Sequence, residues 1–275
     1  GPFRLWVLSV DDEAYSVLER LALPRIILVS LTNILCEKLI DIQAERQFHE
    51  LCWTLKPYLI SYILKNNLRL DAVLYLDADL FFFRDPEEVF AEWGASPILL
   101  TRLWMGEKWS EKLGKYSAGF VGFRRQSDSL KLLNSWRNNC RDWCYDRVEP
   151  GRWGDQKYLD RWPQILSTIK VTQHKGINTG PWNTRKGFAV ARSNGNLYFD
   201  GFPLVCYHFS GFKIIGRGEY ELCNRKVLPS KATPIYAAYT QAVEDTLKML
   251  AEAFPHYNPS NADSGGKYYN HHVLK

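Results

Sequence analysis

No stretch of the chain approaches the ~18 uninterrupted apolar residues that a membrane-spanning helix requires, and it holds neither an internal repeat nor a low-complexity linker. The chain therefore reads as soluble and lacks the periodicity of a solenoid. Cysteine is scarce and dispersed: Cys36, Cys52, Cys140, Cys144, Cys206 and Cys223 are too few and too far apart for a disulfide framework in 275 residues. Cys140 and Cys144 lie one helical turn apart, but no second Cys or His pair at zinc spacing accompanies them, so they read as small buried hydrophobes and point to a reducing compartment. Long runs of one charge are missing too. The net charge of +5 suits an anionic ligand, but Lys and Arg are scattered rather than clustered, which argues against nucleic acid as a partner.

What is present is a composition of 46% hydrophobic and 24% charged residues, enough for one large core, with one α/β domain as the default and two smaller ones as the alternative. Residues 5–10 form a short apolar run followed by Asp11-Asp12 and a helical stripe of Ala14, Val17, Leu18 and Leu21. Residues 26–29 supply a second strand, and residues 43–66 read as helical with an interruption at Pro57. This β-α-β alternation predicts a parallel sheet. Residues 72–76 are continuously apolar, as a strand covered on both faces should be. Further strands are expected at 97–101, 119–123 and 204–207, a helix at about 128–144, and functional loops across 145–201. Thr233-Pro234 opens an amphipathic helix with Ile235, Ala238, Tyr239, Ala242, Leu247 and Leu250 on one face, reaching about Phe254.

The apolar run at 72–76 leads straight into Asp77-Ala78-Asp79. Two carboxylates two residues apart at the end of a packed strand would share one face without partners, and a divalent cation resolves that charge. Hard oxygen ligands suit Mg²⁺ or Mn²⁺, which can in turn hold a diphosphate leaving group. The competing reading is an ordinary strand-end turn or helix cap built from aspartates.

The wider segment at 73–82 resembles the D-x-D strand of GT-A glycosyltransferases, in particular glycogenin and bacterial lipopolysaccharide galactosyltransferases. Residues 116–123 look like that family's asparagine-alanine-glycine strand bordering the donor sugar, with Ser117 standing where asparagine is usual. Gly154-Asp155-Gln156 is similar to the family's Asp-Gln loop, which makes Asp155 and Gln156 the implied catalytic pair; the alternative is a surface turn capped by Asp155. The 207–213 segment resembles the His-x-x-Gly-x-x-Lys element, implying His208 as third metal ligand beside Asp77 and Asp79, with Gly211 and Lys213 at the diphosphate, the lysine coming one residue early. Lys56, just before Pro57, adds positive charge for a phosphate or is a solvated surface lysine.

Segments at 3–8, 52–54, 143–147, 154–160 and 181–183 further resemble bacterial nucleotide-diphospho-sugar transferases that occur with cell-surface polysaccharide genes. That likeness implies that Asn178, Trp182 and Asn183 line the site; the tryptophan could instead fill core.

The resemblance as a whole implies a single GT-A, Rossmann-like α/β domain over residues 3–255, with a mostly parallel central sheet flanked by helices, the family's first strand missing and residues 256–275 as a tail. It implies a Mn²⁺- or Mg²⁺-dependent transfer from a nucleotide sugar, a UDP-sugar favoured, to a glycan or lipid-linked glycan, with retention of configuration. The implied location is the cytoplasm, with peripheral membrane contact open. Two alternatives stand beside it. A haloacid-dehalogenase-type phosphatase would use Asp77 as nucleophile and Asp79 as acid/base, but Phe81 occupies the place where that class has Thr or Val. A noncatalytic carbohydrate-binding module would explain ten Trp and fifteen Tyr by stacking on sugars.

Overall fold

A computed structural model describes residues 3–184, 188–216, 218–223 and 232–257. Most of the tail expected at 256–275 lies outside the described residues. In chain order the first elements are β1 (Leu5–Ser9), α1 (Asp12–Leu21), β2 (Ile26–Ser30), α2 (Glu37–Glu45), α3 (Phe48–Asn66), β3 (Ala72–Leu76), β4 (Leu80–Phe82), α4 (Glu87–Trp93), β5 (Ile98–Arg102), α5 (Glu107–Leu113), β6 (Tyr116–Arg124) and α6 (Ser127–Asp142). They are followed by α7 (Trp162–Ile165), β7 (Lys170–Thr172), β8 (Val190–Ser193), β9 (Asn196–Phe199), β10 (Phe202–Pro203), β11 (Cys206–His208), β12 (Lys213–Gly216), β13 (Glu219–Glu221) and α8 (Thr233–Ala253). The described chain divides into two compact units. One draws on residues up to Tyr75 with Ala95–Arg102 and Gly106–Val171, the other on Leu76–Gly94, Leu103–Met105 and the described residues from Thr172 onward.

The first unit is built on a sheet of order β3-β6-β5-β7, beside a parallel pair β1-β2. β6 is buried along its length up to Arg124, as a strand covered on both faces must be. The class is α/β, but the sheet is only partly parallel, a correction to the mostly parallel sheet expected from the sequence. β5 and β6 pair antiparallel, with Leu99 opposite Gly122 and Leu100 opposite Val121. The physical reason is the connection: the chain leaves β5, makes the two-turn helix α5 and comes straight back as a neighbouring strand, so no crossover is made. α3 packs Leu51, Leu55, Leu59, Ile60 and Ile63 into the same core as Leu132, Leu133, Trp136 and Cys140 of α6. Pro57 does not interrupt α3, which runs on to Asn66. The missing N–H costs one intrahelical bond, which the buried face of the helix offsets.

The second unit carries an antiparallel pair β4-β11, a meander β8-β9-β10 and a hairpin β12-β13. Its core is aromatic: Phe199, Tyr207, Phe209, Tyr220 and Tyr236 are buried together, with Phe81, Phe83, Phe212 and Tyr239 packed against them. The stretch 145–201, read from sequence as loops, therefore holds α7, β7, β8 and β9 as well as 3₁₀ turns. These elements are too short to show a period.

Gly176 sets the approach of this segment to β11. Its carbonyl accepts from the amides of Val205 and Cys206 at 2.8 and 3.1 Å, and a Cβ there would overlap the carbonyl oxygen of Pro203. Because the backbone is bonded on this side it cannot easily retreat. Gly176→Ala is therefore expected to cost about 1–3 kcal/mol or more, read as a lower urea midpoint with an unchanged m-value; a midpoint equal to that of the wild type would contradict this close approach.

Candidate metal centre and donor site

β3 ends at Leu76, and Asp77-Ala78-Asp79 leaves the pleat as a turn closed by the Leu80 amide donating to the Asp77 carbonyl at 3.3 Å. The chain then re-enters extended structure as β4, which pairs with β11 so that Leu80 lies opposite His208. The Phe209 amide donates to the Asp79 carbonyl at 2.7 Å and fastens the turn to the end of β11. Strand pairing thus delivers His208 to a turn far away in sequence.

His208 is buried, with Nε2 2.8 Å from Asp79 Oδ1 and 3.9 Å from Asp77 Oδ2. One ligand atom from each of the three residues lies within 4.8 Å of the others, and among the described residues this is the cluster of His, Cys, Asp and Glu able to hold a metal. Two carboxylate oxygens and one imidazole nitrogen make a mixed O/N donor set that fits Mn²⁺ or Mg²⁺ and leaves coordination positions for phosphate oxygens.

The imidazole is held from behind. Asn178, 1% exposed, places Oδ1 3.2 Å from His208 Nδ1. With that oxygen as acceptor, Nδ1 carries the proton and Nε2 is presented to the carboxylates. Asn178 itself adopts φ +55°, a left-handed conformation that asparagine tolerates better than most residues. Its backbone N–H donates to the Cys206 sulfur at 3.2 Å. Burial pushes the Cys206 thiol up to about 12, against the pull of that donated hydrogen bond. The His208 amide donates to the Thr179 carbonyl at 2.8 Å, and the Trp182 ring meets the imidazole edge-on with centroids 5.2 Å apart.

The Asn183 side-chain amide is hydrogen-bonded to the protein at both ends. Its Oδ1 accepts from Thr179 Oγ1 and the Gly180 amide, both at 3.1 Å, and Nδ2 donates to the Leu103 carbonyl at 2.8 Å, which closes the turn carrying Trp182. Gly211, at φ +80°, turns the chain from β11 towards β12. Lys213 opens β12 opposite Glu221, with its ammonium 3.4 Å from that buried carboxylate. Tyr239 of α8 stacks on Phe209 at 3.7 Å; burial raises its phenol, and the Asp79 charge adds to the shift.

The remaining predicted residues belong to the first unit. Lys56 is a buried lysine rather than a solvated one: its ammonium is 3.2 Å from Asp155 Oδ2, the two side chains are 6% and 5% exposed, and it lies 5.7 Å from the Tyr75 ring centroid. The Asp155 carbonyl accepts from Trp136 Nε1 at 2.8 Å, and Gly154 at φ +51° lets the loop press against the Trp53 ring, where a Cβ would come to 3.0 Å. Asp155 is therefore no surface turn. Gln156 spends its side chain on the backbone, with Nε2 donating to Leu113 at 2.9 Å and Oε1 accepting from the Ala118 amide at 3.4 Å. Ser117 is 2% exposed and its Oγ accepts from the Gly119 amide at 3.2 Å.

So Asp77, Asp79, His208, Asn178 and Trp182 come together in one unit, and Lys56 with Asp155 in the other. Sequence reading did not single out Thr179, Cys206, Phe209 or Tyr239 as neighbours of the centre. None carries a local pattern; only strand pairing and helix packing bring them there.

An acidic turn at the end of the apolar strand β3, joined to a histidine from a later strand, sits in a chain whose residues 4–161 match the family of nucleotide-diphospho-sugar transferases. The chain belongs to that family and is a glycosyltransferase. Membership displaces the phosphatase and the noncatalytic module as readings. Among its relatives are two Bacillus subtilis (strain 168) proteins described only as uncharacterized. YfnD is 30% identical over 262 residues, covering 93% of this chain and 84% of that protein. YfnF is 27% identical over 266 residues, covering 92% and 86%. Solved structures with similarity include a glycosyltransferase involved in glycosylation of the major capsid of PBCV-1, at TM-score 0.39, 11% identity and coverage of 65% of this chain and 85% of that one. Mouse xyloside xylosyltransferase 1 in its apo form is similar at TM-score 0.39 and 15% identity, covering 64% and 73%. Scores this low transfer neither residues nor substrates.

Proposed function

We propose that the protein is a metal-dependent glycosyltransferase that moves a sugar from a nucleoside-diphosphate donor, a UDP-sugar, to a hydroxyl of a glycan or lipid-linked glycan with retention of configuration. The role in bacterial surface polysaccharide synthesis and the site at the cytoplasmic membrane face are part of this proposal. No helix among the described residues is long and apolar enough to cross a membrane. The observation that supports the reading best is the convergence of Asp77, Asp79 and His208 within 4.8 Å.

In this reading Asp77, Asp79 and His208 would hold Mn²⁺ or Mg²⁺. When bound, the cation neutralises charge on the departing diphosphate. Asn178 keeps the His208 tautomer that offers Nε2, and Trp182 shields the imidazole from water. Gly211 lets the backbone pass close to phosphate, and Lys213 supplies a positive charge shared with Glu221. Ser117 borders the sugar from β6. Asp155, paired with Lys56 at 3.2 Å, is the residue proposed to meet the sugar beside its reacting carbon, with Gln156 bracing the loop against β6. The acceptor oxygen bonds to the anomeric carbon on the face from which the diphosphate oxygen departs, and the acceptor proton passes to that diphosphate. An inverting course would use Asp155 as the base on the opposite face.

The test is a thermal-shift series of UDP, GDP, CMP and dTDP sugars with and without Mn²⁺, followed by NMR of the product. UDP-sugar at a hundred times its dissociation constant should stabilise by about 2.7 kcal/mol and do so only with metal. Equal stabilisation without metal would overturn the metal role, and an inverted linkage the retaining one. Asn178→Ala should weaken Mn²⁺ about 10–100-fold in a direct titration of the protein, and unchanged affinity would remove Asn178 from the centre.

A further inference from the structure

The aromatic contacts of α8 include both residues that flank His208. Tyr207 and Phe209 bring their rings together at 4.8 Å, while His208 between them faces Asp79. Tyr236 of α8 is 1% exposed and sets its ring edge-on to both, 5.7 Å from Tyr207 and 5.0 Å from Phe209. Tyr239, three residues on and hence on the same helix face, lies flat on Phe209 with centroids 3.7 Å apart and planes 13° from parallel. Its ring is closed in from the sides by Phe81 at 5.6 Å, from β4, and Phe212 at 4.8 Å. The helix is tied down a turn later by a short hydrogen bond from the Tyr220 hydroxyl of β13 to Glu244.

Phe209 matters to the centre through its backbone. Its amide is the donor, at 2.7 Å, that fixes the Asp79 carbonyl. A ring held on its face and edges restrains the position of its own Cα, one bond from the amide nitrogen, so a clamp on Phe209 limits how far Asp79 and His208 can drift apart. Metal ligands tolerate little drift, because positioning groups behind them change affinity by about 10–100-fold.

We infer that Tyr239 is a positioning residue for the Asp77/Asp79/His208 centre: by stacking on Phe209 it holds the Phe209–Asp79 hydrogen bond and, through it, the spacing of the ligands. The inference rests on the metal reading for its purpose but not for its geometry. Phe81 and Phe209 both contact Tyr239; Phe81 lies in β4, which follows the acidic turn, and Phe209 comes directly after His208 at the end of the paired strand β11. One side chain of the last described helix thus grips both.

The experiment compares wild type, Tyr239→Phe and Tyr239→Leu by two readouts. The first is amide hydrogen exchange in the metal-free protein. Tyr239→Leu should speed exchange at Phe209 by about tenfold or more while leaving Leu204, whose amide donates to Leu197 at 2.8 Å, at its original rate. The second is Mn²⁺ titration followed by the free-ion EPR signal, where Tyr239→Leu should weaken binding about tenfold. Tyr239→Phe keeps the ring and should restore both. Unchanged exchange at Phe209, equal acceleration at Leu204, or failure of Tyr239→Phe to rescue would each overturn the proposal. If the wild type binds no Mn²⁺, the metal reading falls while the exchange data still decide the clamp. Should Tyr239→Leu not fold, Phe209→Leu removes the same stack from the other ring and is read in the same way at the residue 209 amide.

Discussion

Asp79→Ala is expected to abolish Mn²⁺-dependent binding of UDP-sugar and to lower transfer about 10³-fold, with the fold left intact. The size follows from what is removed: a metal-bound charge contributes several kcal/mol to stabilising a developing anion, and each 1.36 kcal/mol is a factor of ten. The carboxylate is 41% exposed and makes its short contact to His208 Nε2, so truncation opens no cavity in the aromatic core. Stability should therefore stay within about 0.5–1 kcal/mol of the wild type. Calorimetry of UDP binding with Mn²⁺, beside circular dichroism, separates the two effects. Unchanged affinity would sink the ligand role of Asp79, and a collapsed spectrum would mean that the turn is structural first.

The second large effect concerns stability rather than binding. Lys56→Met should destabilise the protein by about 3–5 kcal/mol, because it strips the ammonium from Asp155 in a place where the two side chains are 6% and 5% exposed. The double variant Lys56→Met/Asp155→Leu should recover most of that loss, since two apolar groups of similar size need no charge compensation. Denaturant unfolding of the two single variants and the double variant gives the coupling directly. If Lys56→Met unfolds at the wild-type midpoint, the pair is not energetically coupled. A double variant that is stable but inactive is the combination expected if the pair is retained for the sugar rather than for the fold. The same buried setting explains why a lysine first read as either a phosphate contact or a solvated side chain proves to be neither exposed nor isolated.

How much was legible in advance depended on the range of the interaction. The apolar run Ala72–Leu76 ending in Asp77-Ala78-Asp79 could be read directly as a strand, because its apolar stretch stops where charge begins. Its coverage could not: only Val73 is buried, the other four residues are half-buried, and β3 stands at the edge of its sheet rather than at the centre. The helices α6 and α8 could be read too, since their apolar stripes record which face is covered. The direction of β6 against β5 could not be read, since an apolar strand looks the same whichever way its neighbour runs. Pro57 was misjudged for a related reason. Its local cost is visible in the sequence, whereas the burial of Leu55, Leu59 and Ile60 around it is not.

By itself, then, the sequence determined the class of the protein, the acidic turn and the candidate histidine, because each is a short pattern whose chemistry is carried by adjacent residues. Tertiary structure alone decided which atoms meet: Leu80 opposite His208 in a strand pair, Asn178 behind the imidazole, Lys56 against Asp155, and Tyr239 on Phe209. Those contacts join segments far apart along the chain, and nothing in the local periodicity of either segment records the identity of its partner.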